Sequence, residues 1–257
     1  MYQVAKICNV QYSSHPECLM ELYIPACDKP CPLLMYMHGG GLEGGSRLRR
    51  EADMMPLASE YGIAVANIDY RMYPNAKFPE FIEDCAQALR FVMDYPALQG
   101  KVSEYYIGGS SAGSYLTMML FFDKRYLARQ GIRVEDVSGY IFDAGQPTTH
   151  FNVLRERGMD TRLIRVDEAA PIYFIDRDNP YGDKQPRLFI IYSDNDMVNR
   201  LEQNRMLYRT LDHFHYDMSR VTMRCMEGFG HTEYCTAQGD DGRYIYPDIL
   251  APFILGK

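Results

Sequence analysis

Short apolar runs alternate with longer segments of helical periodicity along most of this chain. At the start, "YQVAKICNVQY" and "CLMELYIP" alternate well enough to predict an antiparallel hairpin, and "PLLMYMH" (32–38) is a continuous apolar run. A helical stretch over 48–61 leads to a second such run, "GIAVANIDY" (62–70). Between Pro79 and about Tyr95, Phe81, Ile82, Cys85, Ala88, Leu89 and Val92 recur at three-to-four spacing, which predicts an amphipathic helix. "VSEYYIG" (102–108) reads as the next strand, 112–122 as a helix and "VSGYIFDAG" (137–145) as another strand. Further strands are predicted at 186–194 and 221–229, with a helix at about 199–213 between them and another near 243–255. Strands alternating with helices of this length imply parallel pairing, with helices on both faces of the sheet. The pattern breaks only over 146–183, where Pro147, Pro171 and Pro180 allow short helical pieces. No repeat, low-complexity tract or linker divides the chain, so 1–257 reads as a single α/β domain, with 146–183 as a small cap or lid insert.

Composition narrows the partners. Hydrophobic residues make up 47% and charged residues 24%, as in a globular protein, and the net charge is −7 without any basic block. Neither a nucleic-acid partner nor an anionic membrane surface is expected. The first residues show no basic segment leading into an apolar one, so no secretory leader is expected in this chain and a cytoplasmic location is. A leader already removed stays open. Seven scattered cysteines read as reduced thiols, and Cys27 and Cys31 without a second ligand pair read as incidental rather than as a zinc site.

Four loops that leave C-terminal strand ends carry the candidate chemistry, since that edge of an open α/β sheet is where ligands bind. "GGSSAG" (108–113) contains two overlapping frames of Gly-x-Ser-x-Gly/Ala, centred on Ser110 or on Ser111. Such a strand–turn–helix can expose a strained serine hydroxyl at the top of a sheet, or it can be a plain turn. Only Ser111 has glycine at both −2 and +2, and the amide of Ala112 then falls in the first helical turn, where a developing anion is favoured. "HGGGLEGGS" (38–46) follows a buried strand with three glycines, whose amides can face a cavity unobstructed, as an oxyanion hole needs. The endings of a phosphate-binding or dinucleotide loop are missing.

Together, "HGGG" at 38–41, "GSSAG" at 109–113 and "NIDYRMYPNAKFPEFIEDCAQALRFV" at 67–92 resemble the α/β-hydrolases, and among them the hormone-sensitive-lipase-like carboxylesterases. The resemblance runs from about residue 30 to the end. It implies an eight-stranded, mostly parallel sheet, and a nucleophile, acid and base in that chain order. The acid belongs after the seventh strand, where "DNDMV" fits best with Asp196. Asp194 is then a neighbour satisfying loop amides, and Ser193 departs from the family's usual glycine. The base belongs after the eighth strand, where His231 sits on a glycine-flanked loop. His38 reads as a loop anchor, His213 and His215 do not share a helical face, and His15 and His150 have no context for either role.

The expected reaction is attack of Ser111 on an ester carbonyl, with His231 as base and Asp196 orienting it. Amides of Gly39, Gly40 and Ala112 would hold the oxyanion. Short acyl groups such as acetyl are expected, because no long greasy insert is visible, and acetylated sugars are an extension suggested by the resemblance alone. Glu43 and Tyr173 are candidate substrate-pocket residues, with Phe174 and Tyr181 as further wall candidates. The expected partner is a small-molecule ester, with no cofactor and no metal, and association with further copies of the chain is left open. An amide-directed hydrolase, exopeptidase-like or formamidase-like, is the alternative of the same fold, and a ligand-binding relative without activity is the remoter one.

Overall fold

Apolar continuity decides which strands end up central. In the computed structural model, which describes residues 1–176 and 185–257, eight strands form one sheet. They are β1 (Val4–Gln11), β2 (Leu19–Pro25), β3 (Cys31–Met37), β4 (Ala64–Ile68), β5 (Val102–Ser110), β6 (Gly139–Asp143), β7 (Arg187–Asn195) and β8 (Val221–Gly230). Their order across the sheet is β1-β2-β4-β3-β5-β6-β7-β8. The β1–β2 and β2–β4 pairs are antiparallel and all the others are parallel. Every residue of β4 and β6 is buried, as expected of strands covered on both faces. Edge strand β8 is the opposite, with exposed positions alternating along most of it.

Seven helices are described: α1 (Glu51–Ser59), α2 (Glu80–Asp94), α3 (Ala112–Phe122), α4 (Arg125–Arg129), α5 (Phe151–Glu156), α6 (Arg200–His213) and α7 (Tyr246–Leu255). On one face, Phe81 and Leu89 of α2, Leu116 and Phe121 of α3 and Leu207 of α6 pack in one apolar cluster with the sheet. On the other, Met54 and Leu57 of α1 and Leu250 and Ile254 of α7 form a second. All six apolar positions that predicted α2 are buried. Helix α3 is buried throughout, because it runs through the middle of the molecule. None of these helices is long and apolar enough to cross a membrane.

Boundaries shift where local chemistry intervenes. The stretch predicted as one helix over 48–61 splits into a 3-10 turn, Arg47–Arg50, and α1. Helix α7 starts at Tyr246 rather than 243, with Pro247 in its first turn, where a missing N–H costs nothing. Strand β5 runs two residues beyond the predicted end and so delivers the chain directly to Ser111. Short helix α4 was not anticipated. In the 146–183 segment the described residues form α5 and a 3-10 turn at Pro171–Phe174, while the expected wall residue Tyr181 lies outside the described residues.

A buried ion pair sits beneath the second layer. Arg50 reaches Asp53 and lies over the rings of Tyr36 and Tyr246, at 5.2 and 5.1 Å from their centroids. Burial pushes the Asp53 carboxyl up to about 6, against the pull of Arg50. The folded state therefore holds this proton more tightly than the unfolded chain does. Between about pH 4 and pH 6 the contribution of Asp53 to stability falls as pH rises, by about 1 to 3 kcal/mol. Denaturant melts of the wild type and Asp53→Asn across that window check this, and the variant should lose that part of the slope.

Candidate active site

The site is organised by how closely β5 and α3 approach β3. A Cβ built on Gly109 would lie 2.6 Å from the carbonyl oxygen of Met37, and one on Gly113 only 2.0 Å from the same atom. Side chains at both positions are therefore excluded, and the turn between them must be sharp. Ser111 occupies its apex with φ 55° and ψ −113°, a strained conformation for a residue with a side chain. Its amide donates to the carbonyl of Asp143, 2.8 Å away, which ties the apex to the end of β6. Ser110, one residue earlier, ends β5 and is buried.

The residues named after β7 and β8 meet this apex. Nε2 of His231 lies 2.8 Å from Oγ of Ser111, and its Nδ1 lies 2.5 Å from Oδ1 of Asp196. Two protein donors hold the carboxylate. The amide of Met197 donates to Oδ1 at 2.6 Å, and the hydroxyl of Ser193 lies 3.3 Å from Oδ2 and 3.0 Å from the carbonyl of Gly230. Ser193, at the position where the resemblance leads one to expect glycine, is thus the link between the acid loop and the end of β8. Asp194 accepts from the amide of Gly228 at 2.8 Å and serves loop structure. It caps no helix, since the N-cap of α6 is Asn199 and no side chain caps that end.

Glycines 39 to 41 lie opposite. A Cβ on Gly39 would come 3.2 Å from Cβ of Ser111, so this backbone is in contact range of the apex. Ala112 is the first residue of α3, where an amide has no partner inside the helix. The loop is braced from below by residues of the "NIDYR" stretch. Tyr70 stacks on the ring of His38 at 4.6 Å and donates its hydroxyl to the His38 carbonyl at 2.8 Å. Asp69 accepts from the Arg47 amide at 2.5 Å and lies 3.4 Å from Nε2 of His38. Burial alone would raise the Asp69 carboxyl, but hydrogen bonds from His38 and Arg47 bring it below the usual range. Arg71 then clamps Asp84 of α2 through a two-pronged contact at 2.7 and 2.9 Å.

A second support had no signal in the sequence. Asp143, fully buried behind Ser111, accepts from the hydroxyls of Tyr234 and Tyr246, the latter at 2.7 Å, and from the thiol of Cys235 at 3.3 Å. Burial raises its carboxyl despite these donors. His150 was equally unread. It accepts from the amide of Asn152 at 3.2 Å, capping α5, and packs on Phe151. Burial, with the charges of Arg200 and Arg155, holds its imidazole well below the usual histidine range.

Two contiguous cavities open at the site. One of about 540 Å³ is lined by Gly39–Gly41, Glu43, Ser111, His231 and Phe151, among others. Another of about 530 Å³ shares Phe151 and Met197 with it and continues toward Leu163, Ile164 and Arg200. The 146–183 segment thus contributes walls through Phe151 and residues 161 to 164. Glu43 stands in the wall as expected, but it is already engaged by Arg155 and by Asn152 at 3.3 Å. Tyr173 does not reach the site. It is 56% exposed on the outer side of the 3-10 turn, edge-on to Phe174, because the neighbouring Ile172 takes the inward position. Among the described residues no group of three or more His, Cys, Asp or Glu could hold a metal ion.

Comparison with known proteins bears on the fold and on the chemistry. A family model described as BD-FAE matches residues 20–131. Tuliposide A-converting enzyme 2, chloroplastic, of Tulipa gesneriana is 26% identical over 267 positions, spanning 93% of this chain and 67% of that protein. Hormone-sensitive lipase of Bos taurus is 32% identical over 142 positions, 54% of this chain and 18% of the lipase. Among solved structures, esterase B from Lactobacillus Rhamnosis superposes with a TM-score of 0.76 at 19% identity, covering 97% of this chain and 85% of that one. At that identity the superposition establishes a shared fold.

The β3–β5–α3 contact should tolerate no side chain at residue 113. Gly113→Ala is expected to lower the melting temperature by several degrees and to displace Ser111. Thermal melts, with labelling of the serine by an organophosphonate, check both effects.

Proposed function

We propose that this chain is an α/β-hydrolase of the hormone-sensitive-lipase-like carboxylesterase type and that it hydrolyses short-chain carboxylic esters through Ser111, His231 and Asp196, a reading supported by the family match, the lipase relative and the esterase fold. The observation that carries this reading is the imidazole of His231, bridged between the Ser111 hydroxyl at 2.8 Å and the Asp196 carboxylate at 2.5 Å.

The steps follow from that geometry. Nε2 of His231 takes the hydroxyl proton as Oγ of Ser111 bonds to the ester carbonyl carbon. Asp196 accepts from Nδ1–H, fixes the tautomer and stabilises the imidazolium that forms. The carbonyl oxygen, now an oxyanion, is placed against the amides of Gly39, Gly40 and Ala112, each such donor contributing on the order of 3 kcal/mol. Collapse expels the alcohol, which takes the proton from His231 and leaves an acyl group on Ser111. Water, deprotonated by the same imidazole, then releases the acid and restores the serine. Glu43, in the cavity wall at the mouth of the glycine loop, is assigned to the side that receives the alcohol portion. An acetyl-like acyl group suits a site whose nearer cavity is walled by the glycine loop and Phe151. Acetylated sugars are a fitting class of alcohol for the remaining space.

Purified wild type should hydrolyse p-nitrophenyl acetate. Ser111→Ala should lower kcat by about four to six orders of magnitude, and Asp196→Asn by about four. Ser110→Ala should keep activity within a few-fold. Loss of turnover in Ser110→Ala but not in Ser111→Ala would place the nucleophile in the other frame and reject this assignment. A p-nitroanilide of the same acyl group, turned over as fast as the ester, would favour amide chemistry instead.

A further inference from the structure

A cation with no partner lines the second cavity. Arg200, in the first turn of α6, is 5% exposed. Its guanidinium makes no hydrogen bond and no ion pair among the described residues, although nearly every other buried charge has a close counter-group. Its backbone is fully used, the amide donating to Met197 at 3.0 Å and the carbonyl accepting from Asn204 at 2.8 Å. The backbone is therefore held in place and the side-chain charge is left over. Isolated buried charges are strongly unfavourable and are normally paired or absent.

The surroundings do not compensate it. Two side-chain amides line the same cavity, and both are already engaged: Gln146 donates to the Thr149 carbonyl at 2.9 Å, and Gln203 accepts from the Thr148 hydroxyl at 3.0 Å. His150 is held neutral by burial and by the arginine charges, so it neither repels nor pairs. Burial draws the Arg200 guanidinium down to about 10, opposed only by the charge of Asp196, which is not within pairing distance. The rest of the wall is largely apolar, with Phe151, Leu163, Ile164, Met197 and Val198 beside Thr161, Asn199 and a second cation, Arg162, which is exposed and paired with Asp160 at 2.6 Å. One buried, unpaired fork of N–H donors in a largely apolar wall suits a carboxylate, since a planar guanidinium matches a carboxylate with two parallel hydrogen bonds. Phe151 and Met197 also line the cavity at Ser111, so one molecule can occupy both spaces.

We infer that Arg200 is the specificity-determining residue for an ester substrate bearing a carboxylate, which it binds in the cavity adjoining Ser111. This rests on the ester-hydrolase reading for its chemistry, while the anion site itself can be tested without turnover. The carboxylate could stand on the acyl or on the alcohol side of the ester, and paired probes separate these. Mono-p-nitrophenyl glutarate against p-nitrophenyl valerate tests the acyl side. m-Acetoxybenzoate against its methyl ester tests the alcohol side.

In one of the two pairs the wild type should favour the anionic ester in kcat/KM by about tenfold or more. Arg200→Gln should erase that preference, costing about ten- to hundredfold on the anionic ester and less than about threefold on the neutral one. Arg200→Lys should restore part of it. In Ser111→Ala, where no ester turns over, calorimetry should detect the favoured anionic ester and lose it on adding Arg200→Gln. Arg200→Met, which removes the unpaired charge without emptying the space, should melt no lower than wild type. Equal use of anionic and neutral esters by the wild type overturns the inference. So does an equal loss on both in Arg200→Gln, which would make Arg200 a positioning residue for Asp196, or a lower melting temperature in Arg200→Met, which would make it structural. If the wild type hydrolyses no ester at all, the hydrolase reading fails, and the calorimetric comparison still decides the anion site.

Discussion

The Met37 carbonyl oxygen is the fixed point of this active site. It stands so close to residues 109 and 113 that neither can carry a side chain, and the chain between them has to turn within a single residue. The strain at Ser111 follows from that contact, because no relaxed backbone connects β5 to α3 across so short a gap. What holds the strain is the fully buried setting of α3 and the hydrogen bond from Ser111 to Asp143. The hydroxyl is thereby fixed in direction, held toward His231 at 2.8 Å.

Everything else about the site is bracing of loops against that apex. Loops lack ladder hydrogen bonds, so each one here is pinned by other bonds that involve side chains. Arg47, Asp69 and Tyr70 secure the glycine loop, Ser193 and the Met197 amide secure the carboxylate, and Tyr234, Tyr246 and Cys235 meet on Asp143 beneath the elbow. Buried polar clusters of this kind stabilise only when their members find partners, and for Asp143 and the glycine loop those partners lie far apart in sequence.

That separation explains what could and could not be read from the chain. The sheet and its main helices were legible because each is announced by local periodicity, as in the six buried positions of α2. The meeting of Ser111, Asp196 and His231 was legible because the fold prescribes the strands they follow, and a glycine pair pointed to one serine of two. The role of Ser193 was not legible, since a serine in place of glycine looks like a defect until its hydroxyl is seen between two loops. Asp143 and Arg200 left no trace in any motif, because what distinguishes them is the presence or absence of partners brought in by the tertiary structure. Tyr173 was misread for a related reason. An aromatic residue in an irregular segment has no periodicity to say which side of its turn faces inward.

Strand β8 has a neighbour on one side only and is half exposed along its length, yet its last turn carries His231. The regular ladder to β7 is interrupted between Ser193 and Asn195, just where the acid and the base diverge. In that gap the two strands are stitched by Asp194 to the Gly228 amide and by Ser193 to the Gly230 carbonyl, and Glu233 holds the Gly230 amide. Ser111 opens onto the fully buried helix α3, whereas His231 follows a strand at the margin of the sheet. The contact between His231 and Ser111 therefore has a lower stability threshold than the fold: opening this edge parts the two side chains before it reaches the centre of either core.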